Sequence, residues 1–189
     1  MPLPLTSLAA DGPRLSPIVA GAWRMADWGW NAQQRLRWIE QCVELGVTSF
    51  DHADIYGGYS VEALFGEALA LAPTSLRERL QIVSKCGIKL VAPARPEHRI
   101  KHYDSSAAHI VASAEASLRA LRVERLELLL IHRPDPLMDA DATASALDAL
   151  VDSGKVAAIG VSNFLPHDWQ LLQSRMRHPL VTNQIELSL

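Results

Sequence analysis

Four side chains with complementary proton chemistry recur at matching places in the chain. Asp51, Tyr56, Lys85 and His132 supply an anion, a phenol, an ammonium and an imidazole, each at or just past the end of an apolar run. A phenol titrating near about 10 gives up its proton poorly at neutral pH unless a nearby cation favours the phenolate. Lys85 could supply that cation. Asp51 would then neutralise an ammonium that is costly to bury alone, and His132 could orient a substrate oxygen or share the proton. Taken singly, each residue has a plainer use: Asp51 as a solvated loop carboxylate or as half of a structural ion pair with Lys85, and His132 as a hydrogen-bonded histidine at the core edge.

Uncharged groups follow on the next two apolar runs, where Ser162, Asn163 and Gln184 offer a hydroxyl and two amides able to hold a neutral carboxamide through its donors and its acceptor. They could equally cap helices and finish turns. Trp23, Trp28 and Trp30 crowd a short loop, which suits either packing or the wall of a pocket. Two further chemistries start from the same residues. Lys85 could form a Schiff base in a lyase, and Asp51, His52 and Asp54 could gather a metal, although an extended backbone would turn His52 away from its neighbours.

The elements that must position these groups alternate regularly. Apolar strands are predicted at residues 17–22, 47–50 running into Asp51, 80–84 delivering Lys85, 126–131 delivering His132, 156–161 delivering Ser162, and 180–185. Helices fall between them. Asn31 caps one carrying Leu36, Ile39 and Val43 and stopped at Gly46, and Ser60 caps one carrying Val61, Leu64, Phe65, Ala68 and Leu69 and ended by Pro73. Others span residues 106–121, residues 142–153, and a stretch from Pro166 through Trp169, Leu172 and Met176. Residues 3–8 and 14–17 about the Asp11-Gly12 pair read as a hairpin that plugs or covers something. Gly57 and Gly58 fold the backbone tightly behind Tyr56. Residues 87–104 break the rhythm with Pro93 and Pro96, as a substrate wall or a surface loop.

This βα alternation means an α/β protein built on a parallel sheet, either open or closed. No G-x-G-x-x-G follows the first strand, so the dinucleotide fingerprint of the open form is missing. Polar residues collect at successive strand ends, the face on which a (β/α)₈ TIM barrel carries its chemistry. A full barrel has eight strands in about 250 residues, against six strands here, so the chain reads as one barrel domain over residues 1–189 truncated after the sixth strand. Its outer strands would present unpaired edges open to self-association. With 189 residues, 49% of them hydrophobic, and a net charge of -3, the chain has no electrostatic reason to bind nucleic acid or an acidic membrane. No secretory signal and no run of about 18 apolar residues is evident, and Cys42 and Cys86 read as reduced thiols, so a cytoplasmic setting is expected.

The stretches G-V-T-S-F-D-H-A-D-I-Y-G, I-V-S-K-C-G, L-L-L-I-H-R-P-D, I-G-V-S-N-F and N-Q-I-E, in that order, resemble the aldo-keto reductases, nearest the bacterial reductases of the small-oxidoreductase type. The resemblance implies NADPH-dependent reduction of an aldehyde or ketone, with no metal. It makes Tyr56, Lys85, Asp51 and His132 the catalytic tetrad, Tyr56 being the proton donor. It gives the nicotinamide carboxamide to Ser162, Asn163 and Gln184 and sets the Trp23 loop, with Asp51, beside the cofactor. The family's ring-stacking aromatic after strand seven and phosphate-binding segment after strand eight have no counterpart in these residues. A catalytically idle sensor of the same cofactor is the alternative on this fold.

Overall fold

A computed structural model describes residues 4–10 and 12–187. Two short strands, β1 (Thr6–Ser7) and β2 (Arg14–Leu15), pair antiparallel as the expected hairpin; Asp11 of its turn lies outside the described residues. Then follow β3 (Val19–Gly21), α1 (Ala32–Glu44), β4 (Ser49–Asp51), α2 (Val61–Leu71), α3 (Thr74–Arg77) and β5 (Gln81–Cys86). After a small excursion built on β6 (Ile88–Lys89) and β7 (His102–Tyr103) come α4 (Ala107–Leu121), β8 (Leu128–Ile131), α5 (Ala140–Asp152), β9 (Ile159–Ser162), α6 (Pro166–Gln173) and β10 (Leu180–Gln184).

The ends follow local chemistry, and this moves several of the expected boundaries. Asn31 accepts from the Gln34 amide and Gln34 returns the bond, so α1 starts where expected, and Gly46 takes a left-handed φ of 86° just past it. Ser60 stands at the start of α2 but does not cap it, because its hydroxyl donates to the Gly57 carbonyl at 2.8 Å. Asp139 accepts from the amides of Asp141 and Ala142, which pulls the start of α5 forward to Ala140. Pro73 ends α2 and at once begins the single turn of α3, and Met176 lies beyond α6.

Six strands make one parallel sheet in the order β10-β9-β8-β5-β4-β3, the succession of βα units with the two edges at β3 and β10. The sheet is curled. Gln184 on β10 comes within 3.4 Å of Asp51 on β4, although four strand spacings, about 19 Å, would separate those strands in a flat sheet. Curling divides the apolar residues into two cores. Outside, Phe50, Ile82, Leu129, Ile131, Ile159 and Val161 pack against the helices; inside, Val83, Leu128, Leu130, Ala158 and Val181 meet one another. The hairpin does plug: Leu15 is buried in that inner cluster, with Leu8 and Ala9 against it. On the outside α2 lies against α4 so closely that a Cβ on Gly66 would stand 2.0 Å from the Ala120 carbonyl oxygen, and only glycine fits there. No helix among the described residues is long and apolar enough to cross a membrane.

Candidate active site

The pleat of the strands gathers the four titratable groups. Side chains alternate sides along a strand, so Val83 and Lys85 face inward while Ile82, Ser84 and Cys86 face the helices. In the same way Asp51 faces inward between the outward Phe50 and His52, and His132 continues the inward series of Leu128 and Leu130. Lys85, only 2% exposed, donates to both carboxylate oxygens of Asp51 at 2.6 Å, to the His52 carbonyl at 2.9 Å and to the Tyr56 hydroxyl at 3.2 Å. Tyr56 arrives on a tight turn. Its amide donates to Ala53, its carbonyl accepts from Ser60 and Val61, and Gly57 and Gly58 follow with φ of 58° and 63°. The phenol ring lies 6.0 Å from the His132 ring, edge to face.

The electrostatics differ from the sequence expectation at one point. Lys85 was expected to draw the phenol down; instead burial, and after it the Asp51 charge, hold Tyr56 above its ordinary range. The reason is that Asp51 answers the ammonium at 2.6 Å, closer than the phenol does, so the pair presents little net positive charge to the hydroxyl. Tyr56 is thus protonated throughout the neutral range. Burial also lowers Lys85, against the pull of Asp51. His132 is pushed down to about 3 by burial and then by the Lys85 charge, which makes it neutral, and its buried Nδ1 has no partner among the described residues. The set can therefore donate a proton from Tyr56 to an oxygen placed between phenol and imidazole, with the Lys85 charge next to the phenolate left behind.

The uncharged groups line the same opening. Ser162 ends β9, and Asn163, in a left-handed φ of 55° that asparagine tolerates, donates from Nδ2 to the Ser162 hydroxyl at 2.9 Å. Gln184 donates to Asp51, which ties β10 to the tetrad. Trp23 is 62% exposed, with its ring 6.4 Å from that of Tyr56. The other two indoles serve packing: Trp28 meets Trp30 at a tilt and Trp38 edge-on, and Trp38 meets Phe50 edge-on. The suggested metal trio diverges, since Asp51 pairs with Lys85, His52 packs on Phe65 with no exposure, and Asp54 accepts from Ser113 at 2.7 Å. A cavity of about 170 Å³ extends inward from Asp51 and Gln184 over Val83, Leu128 and Leu130. A larger cleft of about 720 Å³ lies beside the opposite strand ends, between Thr74 and Glu127, where barrels of this class do not carry chemistry.

Behind β5 lie two carboxyls, of which sequence reasoning missed Glu62 and weighed Asp54 only as a metal ligand. Ser84 donates to the buried Glu62 at 2.6 Å, and Ser113 to Asp54. The signal was available, because a serine turned outward from a strand covered on both faces needs a partner. Burial raises Asp54 to about 7, opposed by the Ser113 bond and reinforced by the Glu62 charge. An aspartate in the unfolded chain titrates near about 4, so the folded chain binds more protons between about 4 and about 7, and the stability tied to this group falls as pH rises through that window. Asp54→Asn is expected to gain stability over the parent, by a few kcal/mol, between pH values at the two ends of that window. Urea unfolding at both pH values checks it; a difference that stays constant would contradict it.

Residues 17–189 match the sequence pattern of the aldo/keto reductase family. Oxidoreductase YdhF of Escherichia coli (strain K12) is 56% identical over 182 residues, covering 96% of this chain and 60% of that protein. The 6-dehydroglucose reductase of Agrobacterium fabrum is 53% identical over 181 residues, covering 95% and 61%. The chain thus spans about three fifths of the length of the curated relatives it matches. Among solved structures, glycerol dehydrogenase from Gluconobacter oxydans superposes with a TM-score of 0.81 at 31% identity, over 97% of this chain and 54% of that one. An aldo/keto reductase from Klebsiella pneumoniae in complex with NADP and acetate gives 0.66 at 27% identity, over 86% and 50%.

Proposed function

The chain belongs to the aldo/keto reductase family, and from that premise we propose that it takes part in reducing an aldehyde or ketone with NADPH, Tyr56 donating the proton. The observation that carries this reading is the Lys85 ammonium held between both Asp51 oxygens and the Tyr56 hydroxyl, in a phenol that burial keeps protonated. When bound, the nicotinamide supplies hydride to the carbonyl carbon. The residues fit that group. Gln184 Oε1 and the second Asn163 amide proton have no partner among the described residues, Ser162 stands beside them, and the Trp23 face closes the side nearest Tyr56.

In this reading His132, neutral and edge-on to the phenol, orients the carbonyl oxygen. Tyr56 protonates it as charge develops, and Lys85 stabilises the resulting phenolate while Asp51 keeps the ammonium from standing alone. The NADP held by the Klebsiella relative supports NADPH over NADH, and two free cysteines fit a cytoplasmic setting. The substrate in the name of the Agrobacterium relative, 6-dehydroglucose, is the first carbonyl to try.

NADPH titration followed by tryptophan fluorescence is expected to quench the exposed Trp23, and rapid mixing of the loaded chain with a reactive aldehyde should oxidise one equivalent. Binding without oxidation would favour the idle sensor. No binding would overturn the cofactor reading for this stretch of chain.

A further inference from the structure

Behind Tyr56 the backbone runs through three successive left-handed residues: Gly57, Gly58 and Tyr59, with φ of 58°, 63° and 75°. The glycines adopt this freely, whereas a bulky aromatic does so against its own Cβ and stays only if its surroundings hold it. What holds it is the excursion after β5. The Leu90 amide donates to the Tyr59 hydroxyl at 2.7 Å, the same hydroxyl lies 3.3 Å from the Leu90 carbonyl and 3.4 Å from His98 Nδ1, and the Arg95 guanidinium stacks 4.7 Å over the ring. The excursion is itself anchored at its base, by β6 pairing with β7 and by Ser105, just past β7, donating to Asp135. Tyr59 therefore joins the excursion to the turn that carries Tyr56, whose carbonyl accepts from Ser60 and Val61 just beyond.

Resting on the function proposed above, we propose that Tyr59 is a positioning residue: its hydroxyl, bonded to Leu90, clasps the Tyr56 turn to the excursion and holds the phenol within reach of Lys85. The ring reaches Leu90 from this strained backbone, and the bond to Leu90 helps to hold the strain. Misplacing a reacting group by a fraction of an ångström to an ångström lowers the rate steeply while leaving remote binding contacts in place.

The test compares Tyr59→Phe, which keeps the ring and its Arg95 stack but loses the hydroxyl, with Tyr59→Asn, which tolerates the left-handed angle but has no ring. Both are expected to lower kcat about tenfold with KM for NADPH within about twofold, and to speed hydrogen exchange at the Leu90, Ser60 and Val61 amides. A merely structural residue would lower the melting temperature and leave kcat of the folded chain alone. Parental kcat in Tyr59→Phe, or unchanged protection at Ser60 and Val61, overturns the clasp. Tyr56→Phe run alongside separates the two readings: if it keeps the parental rate the reaction itself is misassigned and the clasp falls with it, whereas if it is inactive and Tyr59→Phe is not, only the clasp falls.

Discussion

Tyr56→Phe is expected to reduce the rate of carbonyl reduction by about 10²–10⁴-fold, the span a positioned general acid contributes, with NADPH affinity within about twofold. The reason lies in what the hydroxyl touches. It accepts from Lys85 at 3.2 Å and lies within reach of the Asp51 carboxylate, which keeps its own bonds to Lys85, so removing it takes away the proton donor and little of the architecture. The ring's edge contact with His132 and its place beside Trp23 persist in phenylalanine. Single-turnover oxidation of bound NADPH measures the rate and fluorescence titration the affinity. A variant that reduces aldehydes as fast as the parent would take Tyr56 out of the mechanism.

Lys85→Met is expected to abolish turnover to a similar extent and also to destabilise the fold. The ammonium is 2% exposed and Asp51 only 14%, so the change leaves a largely buried carboxylate without its cation. Breaking such a pair costs about 3–5 kcal/mol, the lower end applying here because Asp51 keeps some access to water. Adding Asp51→Asn should restore most of the stability, since an amide can be buried with its hydrogen bonds and carries no charge, but it should restore no activity. Urea unfolding and single-turnover rates on the single and double variants check both halves. Recovered turnover in the double variant would mean that Lys85 acts only as a counter-ion.

Much of this was legible beforehand, for a stated reason. The period of two along 80–86 and 126–132 puts Lys85 and His132 on the same side as Val83, Leu128 and Leu130, and the glycines after Tyr56 announce a tight turn. What the sequence withholds is whatever depends on approach. The phenol's proton affinity turned on whether Asp51 or the ammonium stands nearer and on how much water the curled sheet leaves, neither of which is a local property. The Ser60 hydroxyl had two possible partners, and the glycine turn decided for Gly57. Residues 87–104, which the prolines marked as irregular, hold a two-residue antiparallel pairing beside the Leu90 amide that bonds Tyr59, a residue that reads in sequence as an ordinary loop aromatic.

The plug has a consequence for the order of assembly. Leu15 leaves the ribosome long before Val181, yet the two meet in the same inner cluster. The hairpin is thus seated well after it is made, and until β10 arrives its apolar side chains have only a partial groove to occupy. Such distant partners slow this step of folding, so the interval in which the hairpin waits unsheltered is where a nascent chain would most need a chaperone's company.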